Sequence, residues 1–355
     1  MEKVKIGIIG AGNISDAHIK GYLACDDAQL TAICDINSDR ASQKAEKYGI
    51  DNIYSDYKEL LKSSGVDAVS ICTWNNMHAT IAIDALAAGK NVLCEKPMAI
   101  NTGQALEMHQ AQKDSGKLLM IGFVRRFGND CAILKDFIEA GDLGDIYYAK
   151  ANYIRRNGNP GGWFSDKQRS GGGPLIDLGV HVLDLVRYLA GSPKPVSVYA
   201  AVFDPLGNRE HIKIPKSYVS SDHSAGEVCD VEDMAAAMIR FDNGMVLNLE
   251  VSFSLNVEKD YGSIELFGTK AGAKIDPELK IYAEQNGYLA DIIPAHKTAL
   301  SFDGLFENEI SHFVSCVKGE AQCISTAQDG IAIMRIIDAI YESAATKKEV
   351  LIKGV

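Results

Sequence analysis

Hydrophobic positions in the first third of the chain come in short, dense runs separated by helical stretches. Val4, Ile6, Ile8 and Ile9 form the first run, β-branched and continuous enough for a strand buried on both faces. Gly10-Ala11-Gly12 turns the chain tightly, and Ile14 to Ala24 has helical composition and spacing. The alternation then repeats. Leu30 to Cys34 is apolar, Asn37 to Tyr48 and Tyr57 to Lys62 read as helices, and Val66 to Cys72 is strand-like. Met77 to Ala88 is strongly helical and closed by Gly89-Lys90, and Asn91 to Cys94 is another buried strand. Thr102 to Ser115 is helical with Thr102 as its cap, and Leu118 to Ile121 completes a sixth strand near Gly122. Strands alternating with helices over short links predict an α/β fold with a parallel, doubly wound sheet. Its ligand is expected at the carboxyl ends of the strands.

The pattern changes near residue 125. A helix from Asp130 to Ala140 leads into a long strand, Ile146 to Ile154. Further strands are expected at Val196–Val202, Met234–Phe241, Met245–Phe253, Gly262–Phe267 and Leu279–Ala283. Asp242-Asn243-Gly244 is a hairpin turn between two of them, so this sheet has antiparallel pairs. Helices return at Phe306–Lys318 and Ala327–Ala345. The expected organisation is a Rossmann domain over residues 1–125 and an α+β domain over 126–355, the second built on a large, mostly antiparallel open sheet. Neither an internal repeat nor a low-complexity tract interrupts it.

Strand, glycine turn and helix together form the context of a dinucleotide fingerprint. Glycines let backbone N–H groups approach a pyrophosphate at the positive end of a helix. The usual third glycine is Ser15, a small residue that still allows close packing. Asp35, ending the next apolar run, lies about where an acid meets the adenosine ribose hydroxyls. It can also cap the helix starting near Asn37. A carboxylate there favours NAD, because it repels a 2′-phosphate; Arg40 nearby could accept that phosphate, which keeps NADP open.

Composition narrows the classes. A chain of 355 residues exceeds what one compact core usually serves. Its formal net charge of −11, without any basic stripe, argues against nucleic acid or an anionic membrane as partner. No stretch approaches the ~20 apolar residues of a membrane span, and the N-terminus does not read as a signal peptide. Eight cysteines show neither a C-x-x-C pair nor zinc spacing with the histidines, so buried free thiols in a reducing cytoplasm are expected, with no metal.

Two further segments carry chemistry. Glu95-Lys96-Pro97 follows the Asn91–Cys94 strand, a position that puts Lys96 in a cofactor cleft, although it also reads as an ordinary surface lysine. The second is Gly171-Gly172-Gly173-Pro174-Leu175-Ile176-Asp177-Leu178-Gly179-Val180-His181-Val182-Leu183-Asp184. Pro174 suits a first helical position after a glycine loop. Asp177 and His181, four apart, share one helix face, with Asp184 three further on. Gly179 inside this helix costs roughly 1 kcal/mol relative to alanine, which points to something packed or bound closely against it. Hydride transfer from a secondary alcohol needs a group to take the hydroxyl proton. A histidine oriented by an aspartate suits that role, and a lysine cation would stabilise developing alkoxide. A satisfied structural His–Asp pair is the alternative.

Gly10-Ala11-Gly12-Asn13-Ile14, Asn75-x-x-His78, Glu95-Lys96-Pro97 and Asp177-x-Gly-x-His181-x-x-Asp184 occur in the order seen in the glucose–fructose oxidoreductase/inositol dehydrogenase family (Gfo/Idh/MocA), which the chain resembles over its whole length. The resemblance implies an NAD(P)-dependent dehydrogenase oxidising a secondary hydroxyl of a sugar, glycoside or cyclitol. Lys96 and His181 would be catalytic, with Asp177 orienting substrate or histidine. Gly10, Gly12, Asn13, Ile14, Asp35 and Arg40 would bind the adenosine and pyrophosphate side. Thr73, Asn75, His78 and Glu95 would lie along the nicotinamide half. Trp74 stands where many members have proline. Arg126, Tyr153, Arg155, Trp163 and Arg169 are candidates for the substrate mouth, the aromatic and sheet positions being equally readable as packing. A homodimer or homotetramer is implied by analogy. Two other functions fit the same pattern: a redox-assisted glycoside hydrolase that recycles its NAD, and a sensor binding NAD and sugar.

Overall fold

The computed structural model describes residues 2–354 apart from Asn208, Glu210, Ile214, Pro215, Ser217, Ala225, His296, Lys297 and Leu300. The chain divides into two compact units, Met1–Phe127 with Leu300–Ile331, and Gly128–Ala299 with Ala332–Val355. The first unit therefore takes back a segment that the sequence pattern assigns to the second half.

In the first unit β1 (Val4–Ile9), α1 (Ser15–Ala24), β2 (Ala28–Cys34), α2 (Ser38–Tyr48), β3 (Asn52–Tyr54) and α3 (Tyr57–Lys62) make one half. The other half comprises β4 (Ala68–Ile71), α4 (Asn75–Ala87), β5 (Asn91–Glu95), α5 (Thr102–Ser115) and β6 (Leu119–Gly122). The sheet order is β3-β2-β1-β4-β5-β6 with every pair parallel, the doubly wound order with its crevice between β1 and β4. Ile6 and Ile8 of the central β1 are fully buried, as a strand covered on both faces requires. The edge strand β3 is only three residues long, too short to register as an apolar run. Helix α5 is capped by Asn101, whose Oδ1 accepts from the Gln104 amide at 2.9 Å. Thr102, expected as the cap, is instead the first helical residue, because the extended backbone a cap needs falls one position earlier.

The second unit opens with α6 (Asn129–Glu139), β7 (Ile146–Ile154), α7 (Lys167–Ser170) and α8 (Val180–Leu189). There follow β8 (Pro195–Phe203), β9 (Met234–Phe241), β10 (Val246–Ser252), β11 (Tyr261–Gly268), β12 (Ala271–Lys274), β13 (Lys280–Gln285) and β14 (Tyr288–Ile292). Two long helices, α9 (Phe302–Val317) and α10 (Ala327–Thr346), precede the short β15 (Val350–Leu351). The nine-stranded sheet runs β14-β13-β12-β11-β7-β10-β9-β8-β15. Only β7 and β10 pair in parallel; the other pairs are antiparallel. The hairpin turn at Asp242-Asn243-Gly244 joins β9 to β10, with Gly244 at φ 86°. Ala149, Ala151, Leu247, Leu249 and Ile239 alternate onto the buried face. On the other face Met238 and Tyr199, register partners in adjacent strands, are about half exposed.

Helix α9 belongs to the first unit, where it lies on α1. A Cβ at Gly21 of α1 would approach the Ile310 side chain to 2.9 Å, so the glycine permits the close crossing. Ile310 and Phe313 are fully buried in the same core as Ile19 and Tyr22, each contributing about 1.5–3 kcal/mol of burial. Among the described residues, no helix is long and apolar enough to cross a membrane.

Candidate active site

The first unit builds its site at the carboxyl ends of β1, β2, β4 and β5. Gly10 has φ 99°, and a Cβ there would lie 2.5 Å from the Cys72 carbonyl oxygen, so glycine is required for β1 to leave the sheet past β4. Gly12 is the opposite case. A Cβ there would meet nothing nearer than 4.0 Å, leaving its backbone open to a ligand. Asn13 is exposed and Ile14 half-buried at the entry to α1. Ser15 is fully buried and its hydroxyl donates to the Gly12 carbonyl at 2.7 Å, a local brace where the motif usually has glycine.

Asp35 sits at the end of β2 with both carboxylate oxygens engaged. Oδ2 accepts from the Ala11 amide and Oδ1 from the Asn37 amide, each at 2.7 Å. It therefore ties the glycine turn to the start of α2, while Asn37 caps that helix through the Arg40 amide at 3.1 Å. Arg40 is half-buried. Two neighbours escape sequence reasoning. Ile36, directly after Asp35, is 84% exposed, a large apolar surface at the mouth of the crevice. Lys44 of α2 donates to the Gly12 carbonyl at 2.6 Å and the Ser15 hydroxyl at 2.7 Å, and pairs with Asp16 at 2.9 Å. Burial raises the Asp16 carboxyl, but the bonds from Lys44 and Tyr48 outweigh it and hold the group below its usual range.

Glu95 ends β5 and is buried; Lys96 next to it is half-buried, and the Lys96–Pro97 peptide is cis. Glu95 Oε1 lies 2.7 Å from His18 Nε2, and Oε2 accepts from the Lys96 amide at 3.2 Å. Asn75, buried, opens α4 after half-buried Thr73 and Trp74. His78 is fully buried one turn on, its Nδ1 2.7 Å from the Pro97 carbonyl and its Nε2 3.2 Å from that of Thr73. Burial lowers its pKa despite those two carbonyls, so a neutral ring donates to Pro97 and staples the loops after β4 and β5 together. Arg126 is buried in the same unit. Its guanidinium donates to the Ile324 carbonyl and pairs with Asp329 at 3.1 Å, with only 1% of the side chain exposed. It braces the segment 324–329.

In the second unit the glycine loop leads not into a plain α-helix but into a π-helical turn, Leu175–Gly179, that runs on as α8. Such turns recur at functional sites. Asp177 and His181 are the half-exposed positions of an otherwise buried stretch, and Asp184 is buried. A Cβ at Gly179 would lie 3.2 Å from Leu175 and 3.7 Å from Val251 of β10, so the internal glycine serves packing on the sheet. Glu232, 59 residues downstream of Gly173, anchors the start of this helix. Its carboxylate accepts from the Gly173 amide at 3.0 Å, the Leu175 amide at 3.1 Å and the Tyr341 hydroxyl at 3.0 Å. Burial nevertheless lifts the Glu232 carboxyl above its usual range.

Tyr153, exposed on β7, lies under the Arg155 guanidinium at 5.8 Å, and Arg155 donates to the Gly158 carbonyl at 3.1 Å. Trp163 lies against Phe164 with ring centroids 3.9 Å apart and planes tilted by 30°. Arg169 pairs with Asp166 at 3.1 Å and Asp222 at 3.6 Å. The loop carrying Trp163 is held by Glu227, which accepts from the Gly162 amide at 2.6 Å. No sequence signal marks Asp222, Glu227 or Glu232, because each acts on a segment more than fifty residues away.

Residues 4–123 match the family described as "Oxidoreductase family, NAD-binding Rossmann fold" (GFO_IDH_MocA), and residues 135–352 match its "C-terminal alpha/beta domain". The chain is 35% identical to D-glucoside 3-dehydrogenase of Escherichia coli over 97% of its own length and 96% of that protein. It is 28% identical to myo-inositol 2-dehydrogenase of Thermotoga maritima, covering 99% of each. The structure of levoglucosan dehydrogenase with NADH superposes with a TM-score of 0.87 at 26% identity, covering both chains completely.

Proposed function

The chain belongs to the Gfo/Idh/MocA oxidoreductase family, and from that membership we propose that it is an NAD-dependent dehydrogenase of D-glucosides or closely related sugars. The observation that carries the substrate class is the full-length similarity to D-glucoside 3-dehydrogenase. The cofactor fits the residues present: an open backbone at Gly12, a carboxylate at the end of β2 and an exposed apolar side chain beside it. When bound, the nicotinamide supplies the hydride acceptor.

The chain's own groups divide the remaining work. The Gly10–Gly12 turn with Asn13 and Ile14 faces the pyrophosphate. Asp35 keeps lone pairs beyond the two amides it accepts from, and these take the ribose hydroxyls. Ile36 lies against the adenine, and Arg40 marks the rim. Thr73, Asn75, His78 and Glu95 shape the nicotinamide half. Lys96 offers its ammonium to the oxygen as alkoxide character develops. His181 takes the hydroxyl proton, and Asp177 orients it or the sugar. Tyr153, Arg155, Trp163 and Arg169 contribute aromatic faces and fixed donors for a polyol.

The partly apolar open face of the nine-stranded sheet, with Met238 and Tyr199, supports a homodimer or homotetramer. Light scattering of parent and Met238→Lys protein tests that. Eight thiols without a disulfide support a reducing, cytoplasmic setting.

The functional test is a panel of alkyl and aryl glucosides, anhydrosugars, free aldoses and inositols with added NAD, following reduced nicotinamide and sugar release in parallel. Reduction of NAD with glucosides is expected. Release of the aglycone without net reduction would overturn the reading in favour of redox-assisted hydrolysis.

A further inference from the structure

His18 of α1, Glu95 at the end of β5 and Glu309 of α9 are all buried, and one donor atom from each lies within 4.8 Å of the others. The three come from elements far apart in sequence and meet directly behind Lys96, inside the first unit. Glu95 is held at both oxygens, by His18 Nε2 at 2.7 Å and by the Lys96 amide at 3.2 Å. The other ring nitrogen of His18 lies 3.3 Å from the Ser70 hydroxyl, which is 2.7 Å from the Tyr22 hydroxyl. Phe306 closes the remaining side of the imidazole, with centroids 5.4 Å apart.

Two carboxylates and one imidazolium would leave a net negative charge in a dry space. Among the described residues, neither oxygen of Glu309 has a hydrogen-bond partner. Burial, reinforced by Glu95 and opposed by His18, drives the Glu309 carboxyl well above the usual range. Burial opposes the His18 imidazolium, but its surroundings, the Glu95 carboxylate among them, outweigh burial and raise the ring's pKa well above its usual range. The shifts at His18 and Glu309 both run in the direction that lowers the net negative charge of the trio.

A glutamate at a strand end has free side-chain torsions unless something fixes them, and here one carboxylate joins the core to the peptide leading into Lys96. Resting on the reading that Lys96 handles the substrate hydroxyl, we propose that His18 is a positioning residue for hydride transfer, acting through Glu95 to fix the backbone from which Lys96 projects. Displacing a reacting group by about 1 Å can cost up to a hundredfold in rate, so a residue touching neither ligand is able to govern turnover.

The test compares His18→Leu, His18→Gln, Glu95→Gln and the His18→Leu/Glu95→Gln pair in the full chain. In His18→Leu, kcat should fall about tenfold or more with KM for NAD and glucoside within about twofold. His18→Gln, which keeps an N–H donor, should recover most of the loss. The paired variant should be no slower than its slower parent, since both changes act on one link. Hydrogen exchange read by mass spectrometry gives an activity-independent measure: amides of Glu95, Lys96 and Met98 should exchange faster in His18→Leu and not in His18→Gln. Unchanged exchange there overturns the proposal, as do losses that multiply in the paired variant. Parent protein without turnover on any sugar would defeat the functional reading alone, and the exchange result would still decide on His18. A stoichiometric divalent metal in purified protein, lost in Glu309→Gln, would overturn it by reassigning the trio to a cation.

Discussion

Glu95 and Glu232 are both buried carboxylates beneath a segment proposed to carry chemistry, one in each compact unit, and they are held in different ways. Glu95 faces an imidazole, and although burial raises its carboxyl, His18 and Lys96 bring it below the usual range. Glu232 is met by two amides and a phenol, and burial wins. Three neutral donors fix a direction without compensating a charge; one cationic partner compensates the charge. The first unit thus anchors Lys96 by electrostatics and the second anchors the His181 helix by hydrogen-bond geometry. Damage to the two should look different.

The comparison is broken most severely by removing the groups that each frame presents. Lys96→Met and His181→Ala should each lower turnover on the best sugar at least about a hundredfold, with NAD affinity largely intact by fluorescence titration. Parent-like rates in both variants would remove the frames' purpose.

Next come the frames themselves. Glu232→Ala leaves the Gly173 and Leu175 amides and the half-buried Tyr341 hydroxyl without their acceptor, each a cost of about 1–3 kcal/mol unless water enters. It should lower the melting temperature by several degrees and kcat about tenfold. Glu232→Gln, which keeps one acceptor oxygen, should sit between it and the parent. Glu95→Gln should instead spare stability more than turnover, because a neutral amide still bonds to His18 while the ion pair is lost. Equal ratios of stability loss to kcat loss at the two positions would erase the distinction.

The same contrast explains what the sequence made legible. In the first unit a parallel sheet delivers every strand end to one edge, so Gly10, Gly12, Asp35 and Lys96 are predictable from their places after apolar runs. The helix carrying Asp177 and His181 was also readable, since Pro174 and the glycines before it mark its start. Its π-helical turn was not, because nothing in the composition of Leu175–Gly179 separates that winding from an α-helix. Glu232, Asp222 and Glu227 reach their partners through tertiary folding alone, and period and spacing carry no trace of that. His18 and Glu309 were hidden for another reason: each looks like an ordinary polar helix residue until α9 is found lying on α1. The tie of Arg126 to Asp329, 203 residues on, was equally invisible to local pattern.

A smaller effect sharpens the cofactor side. Asp35→Ser removes the charge that disfavours a 2′-phosphate but retains a short polar group near the Ala11 and Asn37 amides. NAD should weaken severalfold while NADP weakens less, so the ratio of their dissociation constants should move toward NADP. An unchanged ratio would leave Asp35 as a brace of the glycine turn and nothing more.

The smallest predicted effect concerns protons. A carboxyl raised on folding, as at Glu309, binds a proton that the unfolded chain has released, so its contribution to stability falls as pH rises above the ordinary glutamate value of about 4.3. His18, also raised, acts in the same direction above about 6.5. Glu95, lowered, acts oppositely, and its contribution is lost as pH falls below the ordinary glutamate range. The groups facing Glu309 are these two, with Tyr22 also coupled to it electrostatically. Glu309→Gln keeps the shape of the neutral acid and cannot titrate. Between about pH 5 and 8 its melting temperature should therefore decline less steeply than the parent's, with a difference of about 2 °C or more at the upper end. Parallel curves would mean that Glu309 is not the proton carrier. The buried charge behind Lys96 would then be balanced by some other group, and the first unit's electrostatic anchoring would have to be assigned anew.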